Sequence, residues 1–299
     1  QYVTEAIRNV TTWLSKRNLM LKSKVSATLP TNYVPELDSS PYLNADDANY
    51  YQQQIGVLRW AVELGRIDIC TEVSIMSGFN AAPREGHLEA VMHIYAWLKC
   101  HTRSKVVLDP DYVIHNEVEE PEWSEFYPNA EEILPPDMPE PLGNPVQMTT
   151  FVDSDHAGDK VTRRSRTGVL IFLNRAPIVW FSKKQNSIET SSFGSEFTAM
   201  KVGVEISEGL RYKLRMMGVP LTGSTQVKAD NMSVVTNTSL PESTLKKKSN
   251  SIAYHYVRER AASGAIAVSY EPTDSNPADM LTKIQPGPVR KRLVAGVLF

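Results

Sequence analysis

The sequence predicts a mixed α/β fold in its second half, a five-stranded sheet with flanking helices, preceded by a smaller, mostly helical region. Three observations predict it. Apolar residues recur at helical spacing through much of residues 1 to 105. An acidic, proline-rich stretch then interrupts every periodicity. From Met148 onward, short β-rich runs alternate with helical patterns in the order strand, strand, strand, helix, strand, helix, helix, strand, helix.

In the first region, Val3, Ile7, Val10 and Leu14 mark an amphipathic helix, and a short apolar stretch at Leu19 to Leu21 reads as a strand. The cap signal Asn44-Ala-Asp-Asp47 opens a second helix through Ile55, Leu58 and Val62, with Asn44 accepting from first-turn amides. A third helix is expected at Ile67 to Met76. A fourth runs from Arg84 to Lys99, with Pro83 at its entry and Leu88, Val91, Tyr95 and Leu98 as its buried stripe. His87, His93 and His101 lie along it without the four-residue pairing and facing carboxylate that a metal site requires, so they read as structural or exposed. Between Asp109 and Gln147 stand eleven Asp or Glu, no Lys or Arg, and the run PPDMPEPLGNP. Such a segment repels itself and cannot propagate a helix, so it reads as a spacer. The expected organisation is a helical region at 1-108, the acidic linker at 109-147 and the sheet domain at 148-299.

In the second half, MTTFVDSD, TGVLIFLN and PIVWFSKKQ read as three strands of an antiparallel meander. Ser192 to Met217 is a long helix directing Phe197, Met200, Val204, Leu210 and Leu214 at the sheet, with Lys201, Glu205 and Glu208 at exposed positions. Gln226 to Asp230 is a fourth strand followed by a helix. Residues 252 to 262 form another helix, Ala265 to Glu271 the fifth strand, and Asn276-Pro-Ala-Asp279 opens a last helix.

Composition excludes several classes. With 299 residues, 41% hydrophobic and 22% charged, the chain is ordinary globular protein sufficient for roughly two cores. It begins at Gln1 without Met and so reads as a fragment or processed piece. No apolar run is long enough to span a membrane and no secretory signal is present, which predicts an intracellular, cytoplasmic protein. Two cysteines, Cys70 and Cys100, fall in helical patterns and read as reduced, buried and structural. The net charge of -2 hides a split: residues 1 to 147 hold 11 Lys+Arg against 21 Asp+Glu, and the rest hold 21 against 13. The basic second half suggests a polyanionic partner.

Chemistry is suggested by four acids. Asp153 ends the first strand, Glu196 lies in the first turns of the long helix, Asp230 ends the fourth strand and Asp279 lies in the last helix, at separations of 43, 34 and 49 residues. Singly, each is explained as a cap or surface acid favoured by a helix dipole. If the first and fourth strands are neighbours, all four converge, and clustered carboxylates demand cations. Hard oxygen donors favour Mg²⁺ or Mn²⁺, and an ion pair about 4 Å apart suits in-line phosphodiester displacement.

The strings FVDSDHAGD, RRSRTGVLIFL, PIVWFSKKQNSIETSSFGSEF, VKADNMS and NPADMLTK, in that order, resemble the ribonuclease H domain of copia-type retrotransposon polyproteins. Upstream, YYQQQIGVLRWAVELGRIDI and SGFNAAPREGHLEAVMHIYAWLK are similar to the thumb and connection stretch joining the reverse-transcriptase palm to that domain. The resemblance implies a ribonuclease H-like sheet, two Mg²⁺ ions with Mn²⁺ possible, and Asp153, Glu196, Asp230 and Asp279 as catalytic metal ligands. It also implies an RNA-DNA hybrid as substrate, the palm and integrase regions of the same polyprotein as partners, and virus-like particles as the location of an active element. His156 stands where the family usually has Trp, Lys248-Ser-Asn-Ser251 where many members carry a KHID-like run, and the loop Thr273 to Asn276 lacks the His that aids product release in cellular enzymes. A polymerase needs a paired aspartate in a β-hairpin; the single candidate, Asp46-Asp47, sits at a helix cap, so no DNA synthesis is expected from this chain alone.

Three basic clusters would track phosphates: Arg163, Arg164 and Arg166; Lys183 and Lys184; and Lys246, Lys247 and Lys248. Ser154, Ser195 and Asn231, beside the acids, are donors for 2′-hydroxyls, while Trp180 reads as core and His156 as a surface residue near the substrate. The expectation is hydrolysis of the RNA strand of a hybrid. The alternative is a silent hybrid-binding or connection module left from a decayed or domesticated element.

Overall fold

The computed structural model describes residues 1–30, 32–113, 121–245 and 248–298. The sheet contains β1 (Met148–Asp155), β2 (Arg166–Leu173), β3 (Ala176–Lys184), β4 (Thr225–Ala229) and β5 (Ile266–Tyr270), in the order β3-β2-β1-β4-β5. β1 to β3 form the antiparallel meander, and β1 and β4 pair in parallel, as do β4 and β5. With its flanking helices, this is the ribonuclease H-like mixed sheet.

β2 explains why the sheet is covered on both sides. Its alternation sends Val169 and Ile171 to one face, against Phe197, Met200 and Val204 of α5 (Ser192–Met216). Leu170 and Phe172 face the other way, into a cluster with Ile7, Leu58, Ile94, Met280 and Leu293. That second cover is the helical region, α1 (Tyr2–Ser15), α2 (Ala45–Glu63), α3 (Cys70–Ser77) and α4 (Glu85–Cys100), joined by the last helix of the chain. Residues 1–108 and the sheet therefore share one apolar cluster across the division drawn from the sequence. Polar contacts follow the same seam: Thr71 Oγ1 donates to Met280 O at 2.7 Å, Ser74 Oγ to Ser182 O at 2.7 Å, and Trp180 Nε1 to Val62 O at 3.0 Å.

Local signals act as read. Asn44 Oδ1 accepts from Asp47 N at 2.9 Å and starts α2. His87 accepts from Arg84 N at 3.0 Å, closing the α4 entry, while its other ring nitrogen lies 3.0 Å from Pro35 O, so it is a buried cap. Other expectations need correction. Leu19 to Leu21 form no strand: among the described residues they pair with none, and Met20 is 90% exposed. Cys70 is buried, but Cys100, at the end of α4, is exposed; both are free. Glu208 is not an exposed helix position, because Arg260 Nε pairs with it at 2.7 Å and Tyr256 donates to it at 2.6 Å. The last helix does not start at Asn276. Pro277–Leu281 is a short 3₁₀ turn, and a separate helix follows after the remaining helices of the sheet domain, α6 (Met232–Ser239) and α7 (Ser251–Ala262), as α8 (Gly287–Ala295).

The described part of the acidic stretch holds no helix or strand, yet it is strapped to the sheet domain. Glu132 receives Arg211 Nε at 2.6 Å and also pairs with Arg215. Trp123 is buried beneath the Arg258 guanidinium, 4.9 Å from the ring centroid. Leu142 and Val146 donate to Gly218 O and Pro220 O, both at 2.9 Å.

Candidate metal centre

Asp153 and Asp230 reach one end of the sheet because β1 and β4 run side by side in parallel, with Asp153 two residues before the end of β1 and Asp230 directly after β4. Glu196 arrives from the first turns of α5. The helix can lie this close because of Gly203: a Cβ there would stand 2.4 Å from Val152 Cγ1. The Pro277–Leu281 turn comes equally close over Gly168, the residue opposite Asp153 in the β1–β2 pairing, where a Cβ would meet Ala278 O at 2.8 Å. Asn276 clamps that turn by donating to Val152 O at 2.9 Å while its own oxygen accepts from Ala278 N at 3.1 Å.

Asp153, Glu196 and Asp230 each present one carboxylate oxygen, and these three atoms lie within 4.8 Å of one another. Asp153 and Glu196 are buried and Asp230 is half-buried. Burial first, and then the charges of Asp230 and Asp279, push Asp153 up to about 7, although the Thr282 hydroxyl donates to its Oδ2 at 2.5 Å. Burial, with Asp153 and Asp230, pushes Glu196 up to about 9. Glu196 Oε2 is buried without a hydrogen-bond donor. Thr273 orients Asp230, donating to its Oδ2 at 2.7 Å. Carboxylates from two buried acids and one half-buried acid, gathered with Glu196 Oε2 left without a donor, fit a divalent cation such as Mg²⁺ or Mn²⁺.

A stability test follows from those shifts. Both groups hold a proton more tightly folded than unfolded, so without metal their stabilisation is complete below the ordinary carboxylate range. It is lost as pH rises through about 7 for Asp153 and about 9 for Glu196. A cation removes this penalty. The gap in Tm between Mg²⁺ and EDTA is therefore expected to widen steadily from about pH 5 to about pH 9. A gap that does not vary with pH would mean these carboxylates share no ion.

Asp279 lies outside that group of three, although its charge acts on Asp153. It is buried in the 3₁₀ turn, with Lys283 Nζ 2.5 Å from Oδ1 and Gln285 Nε2 donating to Oδ2 at 2.5 Å. Lys283 could be suspected from its i,i+4 spacing to Asp279; Gln285, Thr282, Thr273 and Asn276 carry no such signal.

The basic residues are used unevenly. Arg166 donates to Ser74 Oγ at 2.7 Å in the seam with α3, and Lys184 pairs with Asp159 at 2.8 Å. Arg163 and Lys183 are exposed and Arg164 is half-buried; Lys183, paired with Thr167, lies at the same end of the sheet as Asp153. A cavity of about 640 Å³ there is lined by Arg164, Lys183, Lys160, Lys283 and Tyr33. Ser154 is buried beside Glu196. Ser195 is fully buried, donating to Ser192 O at 2.9 Å, with His156 Nδ1 3.3 Å away; His156 itself is exposed. Asn231 caps α6 by accepting from Val234 N at 3.2 Å. Lys248 is exposed, and Lys246 and Lys247 lie outside the described residues. Among the described residues no helix is long and apolar enough to cross a membrane.

No known family profile matches the chain. It is 25% identical over 270 residues to the retrovirus-related Pol polyprotein from transposon RE1 of Arabidopsis thaliana, covering 90% of this chain and 16% of the relative. It is 26% identical over 237 residues to the one from transposon TNT 1-94 of Nicotiana tabacum, covering 79% and 15%. The chain thus spans about a sixth of the length of the curated relatives it matches. Among solved structures, the N-terminal RNase H domain of a Mycobacterium tuberculosis protein aligns at 14% identity and TM-score 0.36, covering 50% of this chain and 96% of that domain. Over nine-tenths of its length the chain is similar to retrovirus-related Pol polyproteins of plant transposons, and its second half is ribonuclease H-like in fold.

Proposed function

We propose that this chain cleaves the RNA strand of RNA-DNA hybrids internally, by two-metal hydrolysis, as the ribonuclease H part of a copia-type retrotransposon polyprotein. The observation that carries the reading is the meeting of Asp153, Glu196 and Asp230 oxygens within 4.8 Å where two parallel strands end. Bound there, a pair of Mg²⁺ or Mn²⁺ ions would supply an acidified water and neutralise the leaving oxygen. The protein's own task is to hold the ligands still. Asp153, Glu196 and Asp230 grip the ions, with Asp279 as fourth ligand; Thr282 and Thr273 fix the carboxylates they donate to. Arg163, Arg164 and Lys183 are free to follow a phosphate backbone, whereas Arg166 and Lys184 also hold the fold. In this reading residues 1–108 are the thumb and connection part, 109–147 the acidic linker and 148–299 the nuclease. Palm and integrase regions of the same polyprotein are the partners, in the cytoplasm or in virus-like particles.

The test is cleavage of a fluorescent hybrid by the 299-residue chain in Mg²⁺. The expected products carry 3′-hydroxyl and 5′-phosphate ends, no cleavage occurs in EDTA, and a DNA duplex is spared. Lys183→Ala is expected to weaken hybrid binding and to reduce the slope of log affinity against log salt by about 1. A folded chain that binds hybrid and never cuts it would favour the silent module instead; the engagement of Asp279 by Lys283 and Gln285 is the observation on that side.

A further inference from the structure

Asp279 differs from the other three acids in already having a cation beside it: Lys283 Nζ forms an ion pair with Oδ1, while Gln285 donates to Oδ2. Among the described residues, none of Asp153, Glu196 and Asp230 forms an ion pair. Gln285 is 3% exposed and is held again by the Asp279 carbonyl at 3.2 Å, so it is part of the packed turn. Lys283 is different: its side chain is 46% exposed, and its charge is felt by Asp153 and Asp155 as well as Asp279.

We propose that Lys283 is a positioning residue that stands in for a cation at Asp279, so that the site takes one divalent ion tightly and a second by displacing the lysine. This rests on the two-ion reading above. An ion arriving at Asp279 meets an ammonium group 2.5 Å from the oxygen it needs, and the two cations repel. A compact charge on a flexible four-carbon stem, half in solvent, can swing away without disturbing the core. Gln285 is neutral and stays, keeping the carboxylate aimed. The second ion then loads in proportion to free metal concentration, which sets a threshold for activity in the chain itself.

The experiment is titration of the full chain with Mn²⁺ alone, free Mn²⁺ being read by electron paramagnetic resonance. The native chain is expected to bind in two steps, and Lys283→Met to tighten the second by about tenfold, the scale of unit charges a few ångströms apart in half-screened surroundings, and the first by clearly less. Lys283→Arg should keep both steps. A second step unchanged in Lys283→Met, or two equal steps in the native chain, overturns the role of Lys283. A native chain that binds no Mn²⁺ overturns the two-ion reading beneath it. On the unmutated chain, acylation of Lys283 mapped by mass spectrometry should rise by about fivefold or more at saturating Mg²⁺ relative to exposed Lys183; an unchanged rate also overturns the proposal.

Discussion

Asp153→Asn is expected to lower hybrid cleavage by at least about a thousandfold, about 4 kcal/mol of transition-state stabilisation at about 1.4 kcal/mol per tenfold. Asn keeps the shape of the side chain and can still accept from Thr282, so the packing around β1 survives. What it removes is the central negative charge among Glu196, Asp230 and Asp279. Stability should move in the opposite direction to activity. In EDTA the variant no longer carries a buried carboxyl pushed up to about 7, so at pH 8 it should be at least as stable as the native chain and gain less from Mg²⁺. Single-turnover cleavage and a melting curve on the same samples separate the two effects. Retention of more than about a tenth of the native rate would place the chemistry elsewhere.

The second large effect is structural. Arg290→Ala should cost about 3–5 kcal/mol in urea denaturation, the range for leaving a buried charge without its partner. Arg290, on α8, is 1% exposed in its side chain, and it donates to Asp68 O and to Glu72 Oε1 of the helical region, whose side chain is 0% exposed. Burial pushes the Glu72 carboxyl upward, against the opposing pull of Arg290 and of Thr28, which donates to it at 2.5 Å. Beside it, burial works against ionised Asp68 too, yet hydrogen bonds from Arg66 and Trp97 hold it below the ordinary range. Removing the guanidinium strands Glu72 in the core. Replacing both partners, Arg290→Met with Glu72→Met, should restore most of the loss, because two apolar side chains of similar volume need no partner. A loss under about 1 kcal/mol for Arg290→Ala would show that water reaches the pair. Probes in α2 and in α5 are expected to report one transition, since the seam ties the halves into one cooperative unit.

The parts that were legible in the sequence have local causes. The meander, the long helix and both parallel strands follow from period-two and period-3.6 apolar patterns that any packing must bury. The caps at Asn44 and Asn276 are short-range chemistry. Leu19 to Leu21 failed for the complementary reason: three apolar residues carry too little period to tell a strand from a loop with one buried anchor, Leu21. Cys100 sits on a helix whose buried stripe is well marked, but its position is the final one and falls on the exposed side of that stripe, its thiol 3.5 Å from Ser23 O. The composition of the acidic stretch predicts a spacer, and composition cannot reveal that Glu132 meets Arg211 and Arg215, more than seventy residues onward.

The candidate site divides along the same line. Sequence alone determined which residues carry negative charge, that Asp153 and Asp230 lie near strand ends and that Glu196 lies in the first turns of a helix, because charge and periodicity are properties of single segments; the 3₁₀ turn that holds Asp279 it did not show. Tertiary structure decided that oxygens of Asp153, Glu196 and Asp230 fall within 4.8 Å, that Asp279 is tied to Lys283 and Gln285, and that β2 is covered on its second face by the helical region. Such proximities join residues dozens of positions apart, and they are set by the parallel pairing of β1 with β4, by the room left at Gly168 and Gly203, and by burial that makes each approach worth its desolvation.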